Sequence, residues 1–309
     1  MDKSDVSFAH MRSFVRVAER GSLSAVAREL GVGQSTITRH LHELEDAVGV
    51  PLLSRTTRRV MLTDEGSRYY ANCVQILRLV EQAGDEARGT RGAAAGVIRI
   101  SCTAAFGILH ITRLIFAFQD RYPDIAIDLS LTDERIDLVR EGIDIALRLA
   151  PLTDSSMKLR GLGHSHRLLV AAPDYLERHG TPLVPQELIG HEGIRMPNVA
   201  GSDVLALRSA DGGRETVPFL GRFRVNHGLA VREAVLAGRG IAAAHRWLVD
   251  DLLAAGRLVP ILPDHSLPSV PLSMLIQPER ASIARVRLLI DDLAHEIARL
   301  PGIAPTAAT

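Results

Sequence analysis

Residues 89–96 (GTRGAAAG) constrain the fold most, because this segment contains no large apolar side chain. A stretch of this composition cannot add to a hydrophobic core and is typical of a hinge or linker. Before it, apolar residues recur at helical spacing, and after it short apolar runs alternate with helical segments. The sequence therefore predicts two parts of different type, which a chain of 309 residues is long enough to form.

Composition excludes several classes of protein. Hydrophobic residues make up 46% and charged residues 23%, which is typical of a folded globular chain. Two cysteines, Cys73 and Cys102, cannot form a disulfide framework or a cysteine-based zinc site. Charges interrupt the first twenty residues and every later apolar run, so neither a signal peptide nor a membrane span is predicted. We therefore expect a cytoplasmic protein with no membrane partner.

Three short helices separated by glycines are predicted in the first fifty residues. The first ends at Gly21, the second lies between Ser22 and Gly31, and the third ends at Gly49. In the third helix, apolar residues at positions 37, 41, 44 and 48 form one buried stripe. Two apolar pieces follow, at 52–53 and 60–62, with a basic segment between them, which predicts a hairpin, or wing, with a basic tip.

A long helix is predicted from Thr63, its capping residue, to about Arg88. Along it, spacings of four and three residues alternate, which is the pattern of a helix that packs on a partner helix. The positions are Gly66, Tyr70, Cys73, Leu77, Val80, Gly84 and Ala87. This pattern predicts a dimer, and the alternative is that the same seam packs on the chain's own core.

The C-terminal part alternates strands and helices. Strands are predicted at 97–101, 125–131 and 143–147, with helices around 109–118 and 136–139 between them. This alternation predicts a mainly parallel sheet with helices on both faces. A second set has strands near 167–171, 222–226 and 240–244 and helices near 229–237 and 246–253. The last strand, 271–276, and the helix 283–300 are expected to return to the first sheet, which gives two α/β lobes with a cleft between them.

The third helix carries a polar face that contains no acidic residue. Ser35, Thr38, Arg39 and His42 lie opposite its apolar stripe, and Gln34 and Thr36 lie at its start. Glutamine pairs with adenine, arginine with guanine O6 and N7, and the threonine methyl with the thymine methyl in the major groove. The predicted wing adds Arg55, Arg58 and Arg59. Since 36 basic residues balance 36 acidic ones, this positive charge is local, and the alternative is an ordinary solvated face.

Residues 14–66, FVRVAERGSLSAVARELGVGQSTITRHLHELEDAVGVPLLSRTTRRVMLTDEG, resemble the LysR-type transcriptional regulators. The resemblance continues through LVEQAGDEARG and, in the C-terminal part, through PDYLERHGTP and VREAVLAGRGIAAAHRWLV. It implies an N-terminal all-α winged helix-turn-helix with a long linker helix, then a C-terminal α/β two-lobed effector domain like the periplasmic binding proteins. By the same resemblance, Gln34, Ser35, Thr38 and Arg39 contact bases and Arg58 approaches the minor groove. Gly33 stands where the family usually has a serine cap.

Together these patterns predict a DNA-binding domain at 1–63, a linker and dimerisation helix at 64–90 and an effector-binding domain at 91–309. Lobe I is expected at about 97–166 and 270–300, and lobe II at about 167–269. The predicted partners are double-stranded DNA carrying an interrupted inverted repeat, a small-molecule effector, and further copies of the chain in a dimer or a tetramer formed by two dimers.

Ligands of two-lobed α/β domains lie beyond the carboxyl ends of the strands. The residues at those ends are Thr103, Ala104, Phe106, Thr132, Asp133 and Arg148 in lobe I, and Asn226 and His227 in lobe II. Thr103 is expected just before a helix that begins near Gly107, and Arg148 supplies a fixed positive charge. A small carboxylate or phenolic effector is predicted, and the alternative is that Arg148 pairs internally with an acid such as Asp133.

No catalytic signature is present. The sequence has no GxSxG, GxxxxGK, HExxH or strand-linked GxGxxG motif, so we predict no catalytic residue, no metal and no cofactor. A buried inert thiol is favoured over a redox switch for Cys102. Two other functions remain open, a solute-binding or transport-associated protein and an enzyme that uses the cleft.

Overall fold

A computed structural model of the chain describes residues 6–55, 60–89, 95–134, 137–138, 141–150, 157–196 and 203–305. The chain divides into an N-terminal unit within residues 1–93 and a larger C-terminal unit formed mainly by residues 94–135 and 144–309. None of the helices in these described ranges has the length and apolar character that a bilayer span requires.

The N-terminal unit follows the predicted order of elements. These are α1 (Phe8–Arg20), α2 (Leu23–Glu29), α3 (Gln34–Val48), β1 (Leu53–Arg55), β2 (Val60–Leu62) and α4 (Asp64–Gly89). Gly21 and Gly49 end α1 and α3 in the left-handed conformation, which costs glycine little. The Ser22 hydroxyl caps α2 by accepting the Ala25 N–H, and the Thr63 hydroxyl accepts the Gly66 N–H at the start of α4.

Apolar faces of the three short helices and the hairpin form one core. Phe14, Val26, Ile37 and Leu44 are completely buried in it. Glycine is needed at position 66, because a side-chain Cβ there would overlap the carbonyl oxygen of Leu52, the residue just before β1. The antiparallel β1–β2 pair confirms the predicted hairpin.

The apolar seam of α4 divides into two parts. Cys73 is completely buried, and Tyr70 and Leu77 pack against the core of the same unit. Farther along the helix, Leu79 is 61% exposed and Val80 is 41% exposed. The first half of the seam therefore packs on the chain's own core, as the alternative interpretation predicted, and an apolar surface remains on the second half.

The C-terminal unit contains a six-stranded sheet in the order β15-β6-β14-β5-β3-β4. Its strands are β3 (Gly96–Cys102), β4 (Ile125–Leu131), β5 (Ile145–Leu149), β6 (Lys158–Ser165), β14 (Val270–Ile276) and β15 (Ile303–Ala304). As predicted, the late strand β14 returns to the first sheet, where it pairs with β5 and β6. We refer to this sheet and the helices packed on it as lobe I.

A second sheet of four strands has the order β12-β7-β11-β8 and forms lobe II with its helices. Its strands are β7 (Arg167–Ala171), β8 (Gly193–Ile194), β11 (Ile241–His245) and β12 (Val259–Ile261). A small third sheet combines β9 (Val204–Ser209), β10 (Arg214–Pro218) and β13 (His265–Ser266). The chain passes from lobe I to lobe II at His166, which lies between β6 and β7.

Helices cover both sheets. They are α5 (Ala104–Phe106), α6 (Thr112–Arg121), α7 (Pro173–His179), α8 (Gly228–Leu236), α9 (Arg246–Ala254) and α10 (Ala284–Ile297). A π-helical turn, Gly107–Ile111, joins α5 to α6, so the helical run starts at Ala104, three residues before the predicted start near Gly107. Short 3-10 turns lie at Pro185–Gly190 and Pro278–Arg280.

Two predictions for this unit are wrong. The sheets are mixed instead of mainly parallel. Only β3–β4 and β3–β5 are parallel in the first sheet, and only β8–β11 is parallel in the second. Strand β14, which enters the first sheet from lobe II, and strand β7, which enters the second from lobe I, run antiparallel to their neighbours. Residues 222–226 form a single bridge, between Arg224 and Arg195, instead of a strand. Strand β6 and the β9–β10 hairpin were not predicted. Of the helix predicted at 136–139, only residues 137–138 lie within the described residues.

Candidate DNA interface and effector site

Helix α3 is held in place from its apolar side. Ile37, Leu41 and Leu44 are at most 1% exposed, which fixes the opposite side of the helix toward solvent. The His40 ring adds a polar anchor, because its Nδ1 lies 2.8 Å from the hydroxyl of the buried Ser13 on α1. Burial, together with the positive neighbours His10 and Arg39, lowers the pKa of His40. The hydrogen bond between this ring and the Ser13 hydroxyl, in which the donor depends on the tautomer of His40, ties α3 to α1.

The predicted base-contacting residues share the solvent side of α3. Gln34, Ser35, Arg39 and His42 are exposed, whereas Thr36 and Thr38 are half-buried. The Thr38 hydroxyl donates to the Gln34 carbonyl oxygen at 3.1 Å, which leaves its methyl group free to face outward. Gly33 is the N-cap, and no side chain caps the first turn. All six side chains thus lie along the accessible side of α3. The backbone N–H groups of its first turn have no side-chain hydrogen-bond partner.

Acidic residues lie nearer to this face than the sequence suggested. Glu43 Oε1 is 3.9 Å from Arg39 Nε, and Asp46 Oδ2 is 3.4 Å from His42 Nδ1. These pairs are solvent-exposed, and exposed pairs contribute only about 0 to 1 kcal/mol. A phosphate or a guanine edge can therefore displace Glu43 from Arg39 at small cost.

Glu45 was not predicted to be a site residue, yet it supports the site. Its Oε1 accepts the backbone N–H groups of Leu52 at 2.8 Å and Leu53 at 3.0 Å, so it fastens the C-terminal half of α3 to the first strand of the wing. Spacing along one helix gives no signal for a bond to a strand seven residues later. The side chain of Arg55 and all of Arg58 and Arg59 lie outside the described residues.

In lobe I, the predicted effector residues meet at the carboxyl ends of β3, β4 and β5. The Ala104 N–H donates to Asp133 Oδ1 at 3.0 Å, and the Thr132 N–H donates to the Cys102 carbonyl oxygen at 2.9 Å. Arg148 donates to the Ser101 hydroxyl at 2.7 Å. These bonds hold the three strand ends together as one surface.

Two side chains at this surface have polar capacity left over. Burial lowers the pKa of Arg148, and among the described residues no carboxylate lies within 4.0 Å of it. The predicted alternative, an ion pair with Asp133, is therefore not formed, although Asp133 attracts the guanidinium from a greater distance. The buried Thr103 Oγ1 finds no hydrogen-bond partner of normal geometry in the described part of the chain, although the Cys102 thiol lies beside it. A guanidinium and a hydroxyl that can donate its hydrogen together suit a carboxylate or phenolate.

Phe106 lies deeper than an effector contact. It is completely buried, and its ring packs edge-on against Trp247 of lobe II with centroids 4.9 Å apart. The predicted lobe II residue His227 is the N-cap of α8. At the next residue, Gly228, an added Cβ would lie 3.0 Å from the Cβ of Ala105 in α5. The described structure thus brings the start of α8 to α5, with Phe106 packed in the core beneath them.

A cavity of about 510 Å³ lies elsewhere in the C-terminal unit. Its lining residues are His166, Arg167, Leu168, Arg246, Gly302, Ile303 and Ala304, and none of the eight predicted effector residues is among them. No sequence motif predicts it, because its walls come from three segments that are distant along the chain.

Metal and thiol chemistry find no support at these surfaces. Within the described ranges, no cluster of three or more His, Cys, Asp or Glu residues has the arrangement of a metal site. Cys102 is completely buried, and burial raises its pKa to about 12. It is therefore a protonated, inaccessible thiol at neutral pH, in agreement with the predicted inert role.

Comparison with known proteins gives the same division of the chain. Residues 8–67 match the family of bacterial regulatory helix-turn-helix proteins of the lysR family, and residues 91–298 match the LysR substrate binding domain. The HTH-type transcriptional regulator CrgA of Neisseria meningitidis serogroup C is 32% identical over 285 residues, which cover 92% of this chain and 95% of CrgA.

Solved structures agree. The full-length structure of the Vibrio cholerae virulence activator AphB matches with a TM-score of 0.63 and 29% identity over 94% of this chain and 99% of AphB. The structure of CrgA from Neisseria meningitidis matches with a TM-score of 0.62 and 31% identity over 94% of this chain and 99% of CrgA. Since these relatives are transcriptional regulators, neither a solute-binding protein nor an enzyme is favoured. The chain belongs to the LysR family of transcriptional regulators, with a DNA-binding helix-turn-helix and a two-lobed effector-binding domain.

Proposed function

We propose that the chain reads an interrupted inverted repeat in duplex DNA by placing α3 in the major groove. The observation that supports this most strongly is the single exposed face of α3, on which Gln34, Thr38 and Arg39 lie opposite a fully buried apolar stripe. Arginine and glutamine distinguish guanine and adenine by paired hydrogen bonds in that groove. Ser35, Thr36 and His42 complete the contact surface, and Arg55, Arg58 and Arg59 of the wing add phosphate and minor-groove contacts.

The proposal includes self-association through α4. An inverted repeat requires two copies of α3 related by a two-fold axis. Leu79 and Val80 supply exposed apolar surface on the second half of α4, and Val80 lies at a position of the predicted seam, where a coiled-coil partner would pack. The division into a DNA-binding domain at 1–63, a linker helix at 64–90 and an effector domain at 91–309 follows from the same scheme, which allows a dimer or a tetramer. A regulator that reads the chromosome acts where the chromosome lies, so we place it in the cytoplasm.

The proposed effector is a small carboxylate or phenolic compound held at the strand ends of lobe I. Arg148 provides the charge and Thr103 the hydroxyl, while Ala104, Thr132 and Asp133 shape the surface. Asn226 and His227 approach from lobe II, and Phe106 supports the surface from the core. An effector changes DNA binding only through its different affinity for two arrangements of the protein, typically about 1 to 3 kcal/mol. No catalytic step, metal or cofactor belongs to the proposal.

Gel retardation of the full-length protein tests the DNA-binding proposal. We expect genomic fragments to be retained in the presence of excess scrambled duplex, and unlabelled fragments of the same sequence to compete them away. Equal competition by specific and scrambled duplexes would contradict it, because phosphate contacts alone carry no sequence information.

Thermal unfolding tests the effector proposal separately. A carboxylate or phenolic compound that binds at the proposed surface should raise the unfolding temperature of the wild-type protein, and Arg148→Gln should reduce that shift. Stabilisation by neutral analogues alone would remove the proposed ligand class without affecting the DNA-binding proposal.

A further inference from the structure

The cavity at the crossover between the lobes is lined by residues from both of them. His166 connects β6 to β7, and its backbone is held on both sides: its N–H donates to the Gly302 carbonyl oxygen at 2.8 Å, and its carbonyl oxygen accepts the Arg246 N–H at 2.9 Å. Gly302 is required here, because a Cβ would lie 2.5 Å from the Arg246 Cβ. The volume of about 510 Å³ is within the range of small-molecule sites.

Arg167 brings a charge to this cavity without a counter-charge. In the described part of the chain, no carboxylate lies within 4.0 Å of its guanidinium, and no hydrogen bond from it to another group is present. Burial is the one cause of its lowered pKa, which means that no neighbouring acid offsets the loss of water. An arginine stays protonated in proteins, and a charge that is partly removed from water without a partner is unfavourable.

The neighbours of Arg167 cannot supply the missing negative charge. Its partner across the strand pair is His245, whose Nδ1 lies 2.7 Å from the Ser165 hydroxyl. Burial and the nearby Arg167 lower the pKa of His245 to about 3, so the ring is neutral near pH 7. Arg246 adds a second guanidinium to the wall, and this one is already paired with Asp250 at 3.0 Å.

We propose that the crossover cavity binds a small organic carboxylate, with its charge on the Arg167 guanidinium and its hydrocarbon part on Leu168 and Ile303. A carboxylate matches the planar guanidinium through two parallel hydrogen bonds. The apolar wall gives the rest of such a ligand a surface to bury. The inference goes beyond the proposed function, because none of these residues belongs to the proposed effector surface. Since the walls come from both lobes, an occupied cavity would favour one arrangement of the lobes.

Thermal unfolding of three full-length proteins tests the proposal, with acetate, succinate and benzoate as probes and inorganic phosphate as a comparison. The proteins are the wild type, Arg148→Gln, which removes the charge of the proposed effector surface, and the double variant Arg148→Gln/Arg167→Gln, which removes the charges of both surfaces. At least one of the three carboxylates should raise the unfolding temperature of the wild type and of Arg148→Gln. The same probe should bind the double variant about tenfold or more weakly than it binds Arg148→Gln, as isothermal titration calorimetry would measure.

Without any probe, Arg167→Gln should unfold at the same temperature as the wild type or higher, because it removes an unpaired charge. A lower temperature would mean that Arg167 already has a stabilising partner, which overturns the proposal. A carboxylate shift that is as large in the double variant as in Arg148→Gln, no shift of Arg148→Gln with any of the three carboxylates, or a shift with phosphate alone would overturn it as well. Gel retardation of the same variants separates the two proposals, since sequence-specific DNA binding by Arg167→Gln is expected whether or not the cavity binds a ligand.

Discussion

The polar face of α3 and the effector surface of lobe I are built in opposite ways. The face of α3 takes all its residues from nine consecutive positions of one helix, and Arg39 is 66% exposed on it. The effector surface takes its residues from the ends of three strands and from two lobes, and Arg148 and Asp133 are bonded to neighbouring segments. On the helix, the residues proposed to bind DNA differ from those that stabilise the fold, whereas in the lobes the residues proposed to bind the effector also hold the strand ends together.

The largest effect is expected in the core that joins the lobes. Phe106→Ala removes a completely buried ring that packs on Trp247, so it should lower the free energy of unfolding by about 3 to 5 kcal/mol. Denaturant unfolding of the full-length protein, followed by the fluorescence of its one tryptophan, measures this loss. Phe116→Ala is the matched control, since Phe116 is 59% exposed and its removal should change stability by less than about 0.5 kcal/mol. Equal losses for the two variants would contradict the described packing of Phe106.

A smaller effect is expected at the anchor of α3. Glu45→Ala leaves the N–H groups of Leu52 and Leu53 without their acceptor, which should destabilise the N-terminal unit by about 2 to 3 kcal/mol. Glu43→Ala, at a residue whose side chain is 50% exposed, should have little effect on stability. Hydrogen exchange of amides in α3 and the wing would detect the difference, and similar exchange rates in the two variants would show that Glu45 is not an anchor.

Replacement of Arg39 should weaken DNA binding without changing the stability of the protein. Arg39→Ala is expected to weaken specific DNA binding by about 1 to 3 kcal/mol and to leave the free energy of unfolding unchanged within about 0.5 kcal/mol. Fluorescence anisotropy with a bound and a scrambled duplex measures the first quantity. Arg299→Ala provides the control, because Arg299 has a similar exposure of 69% and lies in the other unit. A loss of stability at Arg39 would break the distinction drawn between the two surfaces.

The smallest effect, counted for each pH unit, is a dependence of the free energy of unfolding on pH. The pKa of His245 is about 3 in the folded protein and about 6.5 in an unfolded chain, so between these values the unfolded state binds more protons. Its contribution to stability is complete above pH 6.5 and is lost as the pH falls toward 3, at about 1 kcal/mol for each pH unit.

Unfolding measured from pH 7 to pH 4 should therefore have a smaller slope in His245→Gln than in the wild type. His42→Gln is the control, since His42 is 75% exposed on α3 and its removal should preserve the slope. An unchanged slope in His245→Gln would show that this ring is not buried in its neutral form.

Sequence patterns predicted the N-terminal unit well because its signals are local. A helix that ends at Gly21 or Gly49 and a cap at Ser22 or Thr63 depend on a few adjacent residues. The exposed face of α3 follows from helical spacing alone. Glu45 and His40 were missed as supports, because their partners lie on other elements and depend on how the elements pack.

The C-terminal unit was predicted less completely for the same reason. Its return strand β14 was predicted, but β6 and the antiparallel pairs were not, since strand order depends on contacts between residues far apart in the chain. Phe106 was predicted as a ligand contact from its place after a strand, and only the packing of Trp247 against it reveals a core residue. The unpaired charge of Arg167 has no signal in the sequence, because a missing partner is a property of the fold.

Protection of an operator from dimethyl sulfate tests most directly that α3 reads the major groove, because the reagent methylates guanine N7 in that groove and adenine N3 in the minor groove. With wild-type protein, we expect guanine N7 to be protected in two segments separated by one helical turn, about 34 to 36 Å, or a multiple of it. In Arg39→Ala, protection of at least one guanine in each segment should be lost. Protection confined to adenine N3, or guanine protection that Arg39→Ala leaves intact, would contradict the account.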